Sequence, residues 1–208
     1  VAQNESESVK RMVYAASSSS YGDHQLLPKV EGTIGNPLSP YAVSKLVNEL
    51  YAQVFFKTYG TPIIGLRYFN VFGPKQSPNG AYAAVIPLFM ESLKQNVSPI
   101  IHGDGEQTRD FTFVENAVQA NIRSFFAPKD AINEVYNVAC GNRISLNTLW
   151  SHLKSIAGIN LSANYGPSRK GDVKDSLADI SKAKRLLNYN PEFAVKEGIE
   201  LTWKKFKG

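Results

Sequence analysis

The 208-residue chain has one cysteine and three histidines. A single thiol excludes an internal disulfide framework, and Cys140 leads us to expect a reducing, cytoplasmic setting. With so few scattered soft ligands, no metal site is expected. No apolar run approaches the ~20 residues that a membrane-spanning helix requires; the richest stretch, Tyr82 to Met90, contains Pro87. The net charge of +5 is thinly spread, with one mild cluster at Lys204, Lys205 and Lys207. Neither a nucleic-acid partner nor a membrane is therefore expected. The most telling absence is local. No strand runs into Gly-x-Gly-x-x-Gly or a Walker loop, so nothing in these residues cradles a pyrophosphate on a helix N-terminus.

What is present is ordinary for a soluble globular chain: 43% apolar and 20% charged residues, long enough for one large core or two small ones. Strand-like and helix-like stretches alternate. Strands are expected at Arg11–Ala16, Pro62–Tyr68, Ile100–Ile101, Thr108–Val114, Val135–Ala139 and Leu161–Tyr165. Helices are expected at Pro40–Tyr59, Ala83–Gln95, Val114–Phe126, Ser145–Ala157, Asp179–Leu187 and Val195–Phe206. Such alternation argues an α/β protein with a parallel sheet.

Two stretches carry chemistry. In Ser39-Pro40-Tyr41-Ala42-Val43-Ser44-Lys45, Ser39 reads as an N-cap and Pro40 as the first helical residue. Residues four apart share a helix face, so Tyr41 and Lys45 can point into one space. Tyrosine normally titrates near pH ~10, and a close cation favours the phenolate. The second stretch is Ser17 to Ser20, four hydroxyls following a buried strand. Open α/β sheets bind ligands beyond the carboxyl ends of their strands. One loop separates Ser17 from Tyr41, which leaves room for both to meet across a substrate hydroxyl.

These stretches and others in the same order resemble the extended short-chain dehydrogenase/reductases that act on nucleotide sugars, most of all the UDP-N-acetylglucosamine 4-epimerases. The matching pieces are Ala16–Asp23, Ser39-Pro40-Tyr41-x-x-x-Lys45 and Leu66–Pro74 (Leu-Arg-Tyr-Phe-Asn-Val-Phe-Gly-Pro). Gly80–Pro87, Gly103–Gly105 through Thr108–Phe111, Arg169–Val173 and Leu177–Ala183 follow. The resemblance implies the C-terminal part of a Rossmann-type doubly wound parallel sheet plus a smaller α/β substrate-binding domain. Residues 1–75 would belong to the NAD-binding domain and 76–208 mainly to the substrate domain, with about 108–140 returning to the Rossmann core. It also implies that the glycine-rich turn lies upstream, in a half these residues do not include. A sheet cut there exposes a strand edge and helix faces, and the fragment alone is expected to be inactive. A homodimer is usual in the family, with the helix from Pro40 in its interface.

The resemblance further implies a mechanism. Tyr41 takes the O4 proton of a UDP-hexose while the C4 hydride passes to NAD+, and the hydride returns to the other face of a 4-keto sugar. Ser17 holds O4, Ser18 and Ser19 line the wall, Lys45 serves Tyr41 and the nicotinamide ribose, and Tyr68 lies near the nicotinamide. On the substrate side it implies Asn70, Gln76, Ala84, Val85, Arg109, Arg169, Asp172 and Ser176, the two arginines on the diphosphate and Asp172 on the uridine ribose. His102 is read as structural. Dehydratase relatives carry acids in the serine segment and decarboxylase relatives a glutamate; neither occurs here. Ser176 leaves room for an N-acetyl group, so UDP-GlcNAc and UDP-GalNAc are the expected pair. Such a pocket also admits plain UDP-hexoses, and UDP-glucuronate 4-epimerases have similar serine segments. A non-catalytic nucleotide-sugar binder is the rival of another class, and it has no need of the Ser17, Tyr41 and Lys45 set.

Overall fold

The computed structural model describes residues 9–79, 83–169 and 173–207. In chain order its elements are β1 (Met12–Ser17), α1 (Pro40–Tyr59), β2 (Ile63–Tyr68), β3 (Val71–Phe72), α2 (Val85–Gln95), β4 (Ile100–His102), β5 (Thr108–Arg109), β6 (Thr112–Phe113), α3 (Val114–Phe125), β7 (Glu134–Val138), β8 (Ile144–Ser145), α4 (Leu146–Ala157), β9 (Asn164–Gly166), α5 (Ser181–Leu187) and α6 (Val195–Lys207).

Short runs that carry Val, Ile, Leu and Tyr give β1, β2 and β7, which form a parallel sheet in the order β1–β2–β7. Its register sets Ser17 beside Tyr68 and Tyr68 beside Val138, so the carboxyl ends of all three strands finish in one row. Side chains alternate across a strand. Arg67 turns to α1, where Glu49 meets it, and Tyr68 turns to α3, where Asn121 meets it. The two helices therefore cover opposite faces. Gly65 shares the α1 face, and a Cβ there would sit 2.5 Å from the Tyr14 hydroxyl. Among the described residues β1 pairs on its β2 side only, and α3 leaves Val118, Ile122 and Phe125 exposed.

The bounds of α1 match the sequence reading. Ser39 Oγ accepts from Ala42 N at 3.1 Å, and Gly60 ends the helix at φ 68°, its N–H bonded to Phe56 O. That conformation is cheap only without a Cβ. The buried face is another matter. The apolar residues at helical spacing, Val43, Val47, Leu50 and Val54, are exposed, whereas Ala42 and Glu49 are the buried ones.

Elsewhere the bounds shift by a few residues, with one real departure. The strand expected over Thr108–Val114 is two short strands, broken at Asp110 and Phe111. Asp110 points its carboxylate inward and gathers backbone amides there. The helix expected from Asp179 starts at Ser181, because Asp179 accepts from Ser181 N at 2.7 Å. Three two-stranded pairings complete the topology: β3 with β6 and β4 with β9 run parallel, and β5 with β8 antiparallel. Two hydrophobic clusters result. One joins the sheet (Ile64, Leu66, Tyr136, Val138) to α3 and α5; the other joins α2, α4 and α6 through Phe89, Trp150 and Trp203.

The polar link under α1 is the Arg67–Glu49 pair. Arg67 Nε and Nη2 reach the two Glu49 oxygens at 2.9 and 2.7 Å, and each side chain is 4% exposed. Arg67 Nη1 donates to Glu31 O, and its guanidinium lies 4.8 Å from the Tyr21 ring centroid. Burial is the largest single influence and opposes the Arg67 charge, but the interactions with Glu49 and Tyr21 together outweigh it and hold the group protonated. Removing one partner of such a pair costs about 3–5 kcal/mol, because the other charge stays buried. We expect Glu49→Ala to lose stability on that scale in urea denaturation and Glu49→Leu/Arg67→Met to lose less. Equal losses from single and double variants would contradict the pairing.

Candidate active site

The carboxyl end of β1 turns directly into a short 3-10 segment, Ser18–Tyr21. Ser17 Oγ accepts from Ser19 N at 3.2 Å and from Ser19 Oγ at 2.9 Å. The serine run is thus a folded turn whose hydroxyls face one another rather than a loose loop. Tyr41 stands in the first turn of α1, over half exposed at 57%. Lys45 Nζ lies 5.7 Å from the Tyr41 ring centroid and donates to Ala15 O at 3.1 Å. The lysine thereby ties Tyr41 to the strand that ends in Ser17, as the four-residue spacing led us to expect.

Two adjoining cavities lie beside this edge. The larger, about 500 Å³, is lined among others by Ala84, Val85, His102, Gln107 and Arg169. The smaller, about 250 Å³, is lined among others by Ser18, Ser19, Lys29, Ala42 and Ser176. Asn70 and Arg109 line both. The structure therefore gathers most of the expected substrate residues around one junction. Asn70, at φ 38°, donates through Nδ2 to Asp110 O at 2.9 Å. Arg109 Nη1 donates to Thr108 O and Lys174 O. Val85 opens α2, and Ala84 caps it without a side-chain bond, so first-turn amides meet the larger cavity. His102 Nδ1 lies 3.1 Å from Pro167 O, in keeping with a structural role.

Three expectations fare differently. Tyr68, expected near the nicotinamide, ends β2 beside Ser17, and its hydroxyl accepts from Asn121 Nδ2 at 2.7 Å on the α3 face. Gln76 lines neither cavity; its Nε2 donates back to Val71 O. Asp172 lies outside the described residues, as do Gly80–Tyr82.

Sequence reasoning missed two buried groups. Lys29 is 4% exposed on the wall of the smaller cavity. Asp110 is fully buried, accepting from Cys140 N at 3.0 Å, Gly141 N at 3.1 Å and Ala178 N at 3.3 Å. Its own backbone carbonyl orients Asn70, and Arg109 precedes it in the chain. Burial outweighs the amide bonds and raises the Asp110 carboxyl from 3.8 to about 7. Nothing in the sequence marks Lys29, whereas Asp110 could have been suspected from an acid set between aromatic and β-branched residues.

NAD has a nicotinamide-ribose end and a pyrophosphate to be held. A phenol and an ammonium at the carboxyl edge of a parallel sheet suit the nicotinamide-ribose end of the dinucleotide. The pyrophosphate end finds no glycine-rich strand–turn–helix in this sequence.

Comparison with known proteins settles the family. The model described as GDP-mannose 4,6 dehydratase matches residues 1–202. The chain belongs to that family of extended short-chain dehydrogenase/reductases. Among solved structures it is similar to a UDP-N-acetylglucosamine 4-epimerase from Methanobrevibacter ruminantium M1 in complex with UDP-N-acetylmuramic acid. The TM-score is 0.93 and the identity 38%, over 99% of this chain and 64% of that one. It is also similar to a UDP-glucose 4-epimerase with UDP-glucose from Thermotoga maritima, with TM-score 0.91, 35% identity, and 97% and 65% coverage. A third is the UDP-glucuronic acid 4-epimerase from Bacillus cereus in complex with UDP-glucuronic acid and NAD, with TM-score 0.87, 33% identity, and 95% and 62% coverage. The chain thus spans under two thirds of the length of each. The family's fold is Rossmann-type, and the parallel β1–β2–β7 sheet is this chain's share of it.

The Asp110 geometry makes a testable statement. A carboxyl whose pKa is raised on folding keeps a proton that the unfolded chain has released between about pH 4 and 7. Its contribution to stability therefore falls as pH rises through that window. Asp110→Asn presents an NH2 group to amide donors and should cost about 1–3 kcal/mol. We expect denaturation curves of the variant to lose this falling component, so the gap between wild type and variant narrows from pH 4 to 7. A gap that widens would contradict the buried, protonatable carboxyl.

Proposed function

We propose that this chain carries the catalytic base and sugar-binding side of an NAD-dependent UDP-hexose 4-epimerase, with UDP-GlcNAc and UDP-GalNAc as its substrate pair. The observation that carries the reading is the arrangement at the end of β1. Tyr41, faced by Lys45, stands beside a serine turn that contains no carboxylate. The family model bears a dehydratase name, but water elimination needs an acid and a base near the sugar. The nearest acid in the sequence, Asp23, is engaged by Asn36 N and Asn36 Nδ2. Inversion alone needs neither group.

A hydrogen on a hydroxyl-bearing carbon is too weakly acidic for direct abstraction, so inversion at C4 proceeds by oxidation and its reversal. NAD, when bound, supplies the reversible hydride acceptor. The remaining work belongs to residues of this chain. Tyr41 accepts the O4 proton and returns it, and Lys45, which faces its ring, holds the first turn of α1 to β1 through the Ala15 carbonyl. Ser17, whose oxygen already accepts from Ser19, donates to O4 and keeps it beside the phenol. Arg109 and Arg169 hold the diphosphate through planar, bidentate donors, and Asn70 positions the group between the two cavities. The small Ser176 side chain leaves room for a 2-acetamido group. Asp172 on the uridine ribose, and Tyr68 near the nicotinamide through its backbone, complete the proposed site.

Division at about residue 75, a cytoplasmic location and a homodimer are part of the same proposal. For the dimer, the support is the exposed apolar row Val43, Val47, Leu50 and Val54 on α1. The experiment is to follow UDP-GlcNAc in the presence of the natural polypeptide and NAD. We expect UDP-GalNAc to form. Failure to convert either N-acetylated or plain UDP-hexoses at C4 would overturn the reading. Tyr41→Phe should lower turnover by roughly 10²–10⁴-fold, the usual worth of a placed acid–base group. UDP affinity measured by calorimetry should be nearly unchanged. Wild-type turnover in that variant would remove Tyr41 from the mechanism.

A further inference from the structure

Lys29 sits in a Pro- and Gly-rich segment where a lysine ordinarily reaches into water. Here its backbone is clamped. Lys29 N donates to Leu177 O at 2.7 Å, and Lys29 O accepts from Asp179 N at 2.9 Å and Asn137 Nδ2 at 2.8 Å. A parallel bridge with Ala178 fixes the residue beside the segment that carries Ser176. The side chain is buried with it, and the ammonium donates to the carbonyl of His24. His24 belongs to the turn whose Tyr21 and Gly22 line the smaller cavity together with Lys29 and Ser176.

An ammonium has three N–H donors. One is taken by a neutral carbonyl, and among the described residues no ion pair offsets the charge. Donors left unmade in a buried place cost far more than donors in water. A ligand oxygen in the smaller cavity removes that cost. We propose that Lys29 is a specificity-determining residue of this cavity, donating to the carbonyl of a 2-acetamido group on the hexose beside Ser176. An acetamido carbonyl oxygen lies two bonds farther from the ring than a hydroxyl oxygen, which suits a cation set in the wall. In the proposed site the diphosphate has Arg169 in the larger cavity and Arg109, which lines both.

The inference rests on the UDP-hexose reading and adds the group by which the sugar is read. Calorimetric titration of the natural polypeptide with UDP, UDP-glucose, UDP-GlcNAc and UDP-glucuronate tests it, with Lys29→Met as the variant. We expect UDP-GlcNAc to bind about tenfold more weakly to the variant, with UDP and UDP-glucose unchanged. Lys29→Gln, which keeps a donor, should lose less and carries the comparison where the Met variant fails to fold. Equal weakening of UDP-glucose and UDP-GlcNAc, or no weakening, overturns the proposal. A selective loss of UDP-glucuronate also overturns it, because the acceptor is then a carboxylate. Discrimination in binding with no C4 turnover of any UDP-hexose would instead sink the epimerase reading and keep this one.

Discussion

The buried pair of Arg67 and Glu49 is the constraint on which the candidate site depends. Two parallel hydrogen bonds between planar groups fix both the rotation and the axial position of α1 against β2. Glu49 lies one helical step of four residues beyond Lys45, which lies four beyond Tyr41, so one row along α1 carries all three. With Glu49 locked to the sheet, Lys45 comes within reach of the Ala15 carbonyl and faces the Tyr41 ring. Apolar packing alone would hold this helix less definitely, because its apolar row is turned outward. The same guanidinium supports Tyr21 at the end of the serine turn. A single buried ion pair thus joins the two stretches that carry the chemistry.

A buried acidic side chain organises the other side. Asp110 interrupts a strand to collect amides from the segment after β7 and from Ala178, while its carbonyl holds Asn70. Asn70, Arg109 and Ser176 are therefore gathered around one buried residue, although they come from three distant parts of the chain. Binding residues on loops are as well defined as the buried groups beneath them.

Local chemistry was legible in the sequence where it was written in consecutive residues. Ser39, Pro40 and Gly60 bracket α1, and the spacing of Tyr41 and Lys45 puts them together. The family motifs pointed to Asn70, Arg109, Arg169 and Ser176, which the structure brings to two adjoining cavities. What could not be read depends on contacts between remote segments. An exposed apolar row on α1 looks, in sequence, like a buried one, and only the Arg67 partner shows which face is inside. Lys29 looks like a solvated loop lysine until its pairing with the 177–179 segment is seen. The break at Asp110 was hidden because a run of Thr, Phe and Val around it has strong strand propensity; the amides that override it lie elsewhere in the chain.

In the proposed reaction C4 is inverted by oxidation and reduction beside the phenol of Tyr41, not by proton abstraction from carbon. The fate of the C4 hydrogen tests this most directly. UDP-GlcNAc deuterated at C4 is converted by the natural polypeptide in ordinary water, and the product is examined by NMR. The account predicts that UDP-GalNAc keeps its deuterium at C4, because that hydrogen never becomes a free proton. Washout of the label into solvent would contradict it.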